Sequence, residues 1–206
     1  QLTGFSTVQI AALSTDALAN ITAAGLASMS TAQMGALTTD QIVALTTSQA
    51  AALKSSQISA LSTDQISSLE TADLVALSVA SVGAFSTEQA SALTTDHAQI
   101  AAMNTASFAA LTTDQVIAFT TAQVAALKSA LVGVLTTDQI AAMETQDIAV
   151  MSAAGLAGMS TSQIQALTTD QLVALTSAQV AAMKTNQIAA LSTDQIAAME
   201  TADLVA

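Results

Sequence analysis

Few side chains in this chain could do chemistry. The only histidine is His97, and an imidazole near neutral pH could serve as a base or a metal ligand. It stands in Leu93–Ala102, the one stretch where an otherwise strict pattern breaks. No cysteine and no second imidazole are present to join it, so it reads as a polar residue replacing Gln on a bulge. Ser and Asp abound, but no Gly-x-Ser-x-Gly lies between a strand and a helix to expose a nucleophile. Asp16, Asp40, Asp64, Glu88, Asp114 and Asp138 recur at regular intervals and could suggest calcium, which wants six to eight oxygens converging on one point. One carboxylate per repeat, on helices stacked ~8–10 Å apart, is too sparse to chelate. These residues are expected to serve helix-dipole pairing and solubility. Met103, Met143, Met151, Met159, Met183 and Met199 read as substitutes for leucine in a core. Gly25 and Gly155 replace a recurring Gln and are expected to mark loosened units. The sequence thus assigns no catalytic, cofactor-binding or metal residue, implies no cofactor, and argues against an enzyme.

What must position these residues is an eight-residue phrase, ideally Leu-Thr-Thr-Asp-Gln-Ile-Ala-Ala. It is seen almost unaltered at Leu37–Ala44, Leu111–Ala118, Leu135–Ala142 and Leu167–Ala174. Leu, Met, Phe or Ile leads every eighth residue from 5 to 93 and, after two extra residues, from 103 to 199, giving 25 octads. So regular a period sets the architecture.

With the lead residue as position 1, position 6 is also apolar, as at Ile42, Ile58, Ile66, Val116, Ile140, Ile188 and Ile196. One continuous helix fits poorly, because eight residues leave successive octads rotated by ~80°. A strand fits poorly because positions 1 and 6 would face opposite sides. A short helix restarting in every octad fits well. Thr at 2 and Gln at 5 make a capping box, and the apolar residues at 1 and 6 are the partners of a hydrophobic staple. Asp at 4 falls in the first turn, where the helix dipole favours it. Position 2 holds Lys54, Lys128, Lys184, Glu70, Glu144 or Glu200 in some octads, and there the cap could slip to position 3. Helices this short are unstable alone, so the octads must lean on one another as an all-α solenoid spanning residues 1–206, with an irregularity within 93–102.

Two clues bear on the coil. The acidic residues from Asp16 to Asp138 lie 24, 24, 24, 26 and 24 apart, which predicts three octads per coil, although Asp96 breaks the pattern. A two-octad coil of 16 residues would instead stack Lys54 on Glu70 and Lys128 on Glu144. Exposed ion pairs contribute little, and three octads are the preferred reading. Positions 1 and 6 should then be buried, position 8 should lie at close contacts between coils, and position 4 should face solvent. The Gln at 5 could also bridge coils, since a buried amide needs partners.

Composition bounds the partners. Fifteen acidic residues stand against three lysines, for a net charge of −12. That balance disfavours nucleic acid and anionic membrane surfaces. No run approaches the ~20 apolar residues of a membrane span, and no signal peptide is visible. Gln1 and Leu2 align with positions 5 and 6 of an octad whose first half is missing, and neither end carries a polar capping repeat. The chain is therefore expected to continue a longer array or to self-associate end to end.

The phrase resembles the octapeptide arrays of very large secreted or surface-exposed bacterial proteins, often adhesin-like, over all 25 octads. That resemblance implies an extracellular or cell-surface stalk, fibre or surface-layer element. The alternative is a binding module whose exposed Thr, Ser and Asp ridges engage a glycan or protein partner.

Overall fold

The computed structural model describes residues 2–95 and 98–199. Asp96 and His97 lie outside the described residues, and so does the reading of His97 as a bulge residue. Among the described residues there are 24 α-helices of four to six residues, one short 3₁₀ turn at Leu2–Gly4, and no strand. Each of the first 24 octads therefore makes one helix.

The helices start where capping chemistry puts them. Thr39–Val43 and Thr137–Ala142 begin at position 3, and the residue before each is the N-cap in extended conformation, as at Thr38 with φ −76° and ψ 162°. The Thr38 hydroxyl accepts from the Gln41 backbone N–H at 3.2 Å, while the Thr38 N–H donates to the Gln41 side-chain oxygen at 2.8 Å. Lys54, Lys128, Lys184, Glu70 and Glu144 remain the N-caps of their octads, without a side-chain cap bond. In these five octads the cap does not slip to position 3, and Glu200 lies outside the described residues. The backbone geometry is held from elsewhere: Lys54 N–H still donates to the Gln57 side chain at 3.0 Å, and Lys184 N–H to Gln187 at 2.7 Å.

Each helix ends by tightening. The N–H of the next lead residue donates back three residues, as Leu45 N–H does to the Ile42 carbonyl at 3.2 Å. The lead and cap residues then supply the short corner to the next helix.

The chain divides into two compact units, Gln1–Leu111 and Thr112–Ala206. Within each, a helix packs on the helix three further along the chain. Thr47–Ala51 meets Thr71–Ala76 in the first unit, and Thr121–Ala125 meets Thr145–Val150 in the second. Each coil thus holds three octads and 24 residues, which excludes the 16-residue coil. Lys54 and Glu70 fall on different sides of the coil and do not stack.

Most lead and position-6 side chains fill the interior: Leu37 and Leu61 are 4 % exposed, and Ile42, Ile66 and Ile140 are fully buried, whereas Phe5 in the first coil and Ile188 and Ile196 in the last are exposed. Burying each such side chain contributes about 1.5–3 kcal/mol, and no five-residue helix stands without it. Position 4 faces solvent at Asp16, Asp40, Asp64, Glu88, Asp114 and Asp138, and position 8 is half-buried at Ala36, Ala44 and Ala52. Positions 7 and 8 form the close approach between coils. A Cβ on Gly35 would come within 3.0 Å of the Ala60 carbonyl, and one on Gly158 within 2.9 Å of the Ser129 Cβ. Ser59, also at position 7, uses the same proximity to donate to the Ala84 carbonyl at 2.8 Å.

Candidate functional site

The side chain that organises this molecule is the Gln at position 5. Gln41 is 2 % exposed. Its Oε1 closes the capping box of its own helix, which leaves the amide nitrogen pointing away. That Nε2 donates to the carbonyls of Ile10 at 2.9 Å and Leu13 at 2.8 Å, 31 and 28 residues earlier. The acceptors lie where the preceding helix ends and turns the corner, one coil back. Helix C-termini leave carbonyls without intrahelical partners, and the amide satisfies them. One residue therefore starts its own helix and finishes one in the neighbouring coil.

The offsets repeat along both units. Gln49 donates to Leu18 and Ile21, Gln89 to Ile58 and Leu61, Gln171 to Ile140 and Met143, and Gln187 to Leu156 and Met159, all at 2.6–3.0 Å. The glutamines bridge coils, as the buried-amide argument expects. They do so by bonding backbone carbonyls, while keeping the capping role.

The irregular stretch keeps this lock. Thr94 N–H donates to the Gln99 side-chain oxygen across five residues instead of three, at 2.8 Å, and Gln99 Nε2 reaches Leu69 at 2.6 Å and Ile66 at 3.3 Å. Those offsets are the usual ones plus two. The two extra positions fall between Thr94 and Gln99. The cost shows at Ala98, whose φ of 53° is the one positive value of a non-glycine residue among those described. An L-residue adopts that left-handed conformation at a cost of about 1–2 kcal/mol.

Other occupants of position 5 show what the lock requires. Ser81 accepts from the hydroxyl of its own cap, Ser78, at 2.9 Å and donates to the Leu53 carbonyl at 3.1 Å. Leu131 is buried there without a polar group. At Gly25 and Gly155 the helices Ala23–Ala27 and Ala153–Ala157 are as long as elsewhere, and hydroxyl caps from Thr22 and Ser152 remain at 3.1 and 3.0 Å. These units lack the lock, not the helix. Asp73 and Asp147 are 3 % exposed, and burial followed by the charge of Glu144 raises the Asp147 carboxyl above the ordinary aspartate value. Burial also raises Asp73, with Glu70 adding to it and a hydrogen bond from Thr47 opposing. Neither aspartate drew attention in the sequence. The readable signal was their place in a column of glutamines, each paired with Glu at position 2.

The exposed column offers little chemistry. Glu88 is held below the usual carboxylate value by its own backbone N–H and by the Ser86 and Thr87 hydroxyls, a helix-start effect. No group of three or more metal-ligating His, Cys, Asp or Glu side chains occurs among the described residues. A shallow groove of about 320 Å³ runs beside Val43, Leu69, Glu70 and Thr94, with a single carboxylate and no partner acid or base. No described helix is long and apolar enough to cross a membrane.

The ALTTAQ repeat family model matches the chain six times, over residues 18–47, 66–99, 97–121, 116–145, 140–177 and 172–206. Comparison with curated proteins gives no match.

Proposed function

This chain belongs to the ALTTAQ repeat family, and from that premise we propose that it is a structural protein: a length of extracellular stalk, fibre or surface layer in a large bacterial surface protein. The observation that carries this reading is the destination of the position-5 side chains. The most regular polar groups in the molecule are buried and spent on joining one coil to the next, as at Gln41, Gln49, Gln171 and Gln179. Such a chain gains length with each coil and needs no ligand to hold it. Coil surfaces of this kind would also let one array stack on another end to end.

Protease added to intact cells that make the protein tests the reading. Digestion of the chain while a cytosolic marker survives is the expected result. A chain digested only after lysis would overturn the surface assignment. Tight binding of a glycan or protein by the isolated chain, abolished by substitutions at Asp40 and Asp64, would favour a binding module instead.

A further inference from the structure

Every lock described above presents hydrogen to the neighbouring coil's carbonyls. Asp147 breaks that rule. It occupies position 5, is 3 % exposed, and its Oδ1 has no hydrogen-bond partner. Its helix, Thr145–Val150, packs on Thr121–Ala125 one coil back. The offsets of 31 and 28 that serve the glutamines point it at the carbonyl side of Val116 and Phe119. A carboxylate has only acceptor oxygens, and a carbonyl edge offers only more. The neutral acid has an O–H, and Ser81 shows that a side chain shorter than aspartate reaches the equivalent carbonyl from this position.

We propose that Asp147 is a pH-sensitive latch between adjacent coils: as a neutral acid it donates to the carbonyl edge of the coil behind it in place of a glutamine amide, and on losing its proton to water it releases that seam.

The surroundings favour the neutral form. Thr121–Ala125 has no titratable side chain, and Thr169–Val173, on the other side, brings only the exposed carboxylate of Asp170. Glu144 caps the same helix and adds like charge. Asp73, at the same octad position, differs, because the Thr47 hydroxyl on the helix one coil back donates to its carboxyl and gives the ionised form a partner. No lysine lies on any of these helices.

The sign follows from linkage. A carboxyl raised in the folded state costs nothing below its unfolded value, and it destabilises the fold as pH rises from there through the folded value. The seam closes in acid and loosens toward neutrality. In a solenoid that loosening is local, because each coil contacts only its neighbours.

Amide hydrogen exchange from about pH 3 to about pH 7 tests this on the whole chain, comparing the wild type with Asp147→Asn. The substitution keeps the shape and a donor but removes the charge. Protection of Thr121–Ala125 and Thr145–Val150 should fall by up to about tenfold per pH unit in the wild type within the window, and the ratio to the variant should then level off. Equal pH dependence in the two proteins would overturn the proposal. Should Asp147→Asn fold poorly, Asp147→Leu replaces it, since Leu131 occupies the same octad position. A direct carbon-NMR titration of the wild-type carboxyl needs no variant. Titration in the ordinary aspartate range would refute the latch, and a raised midpoint would support it.

Discussion

Octad Leu37–Ala44 and the ten-residue stretch Leu93–Ala102 do the same job with different lengths of chain. In the first, Thr38 and Gln41 close a capping box three residues apart. In the second, the Thr94 N–H donates to the Gln99 side chain five residues on, the helix shortens to Gln99–Ala102, and its N-cap is Ala98, in the left-handed region and without a side-chain cap bond. Yet Ile42 and Ile100 are both fully buried, and both glutamines reach the coil behind. Two extra residues between Thr94 and Gln99 therefore leave the core residue and the lock in their places.

The most severe test of that equivalence is a charge in the core. Ile42→Asp and Ile100→Asp should each cost about 3–5 kcal/mol, since the buried carboxylate finds no partner. Chemical denaturation with exchange mapping would show the loss centred on the altered coil and its neighbours. A mild effect at Ile100 alone would show that the irregular coil is not packed like the regular one.

The lock should rank next. Gln41→Ala and Gln99→Ala leave a cap N–H and corner carbonyls unsatisfied, and each should cost about 2–3 kcal/mol. Similar denaturation shifts would support one lock in two settings. A small shift for Gln99→Ala would mean that the insertion had uncoupled it.

A glycine substitution should change sign between the regions. Ala98→Gly should stabilise by about 1 kcal/mol by relieving the left-handed residue. Ala44→Gly, at an ordinary right-handed position with φ −81°, should destabilise by about 0.5–1 kcal/mol. Melting of the two variants under one buffer condition decides it, and loss of stability in both would remove the strain argument. The smallest effect belongs to the exposed column. Asp40→Ala should lose about 0.3–1 kcal/mol at low ionic strength, and less as salt is raised.

The helices, their starts and the buried positions 1 and 6 were legible in the sequence by itself. A capping box joins residues three apart, and a staple joins residues five apart, so both fit inside one octad and recur with it. The 24-residue rhythm of Asp16, Asp40, Asp64 and Glu88 also showed the three-octad coil. The lysine and glutamate octads misled, because Lys54 and Glu70 suggested a stacking that the coil does not make, and because a cap without a hydroxyl was expected to move. Lys54, Glu70 and Glu144 stay in place since their backbone is set by the corner and by bonds from outside the side chain.

Only the tertiary structure decided the second half of each glutamine's role, the close approach at Gly35 and Gly158, and the burial of Asp73 and Asp147. Those features depend on contacts 24 to 31 residues apart. A phrase repeated every eight residues looks the same to every neighbour, so it cannot say which copy stands behind which. Packing settles that, and with it which polar groups lose water and must find a partner.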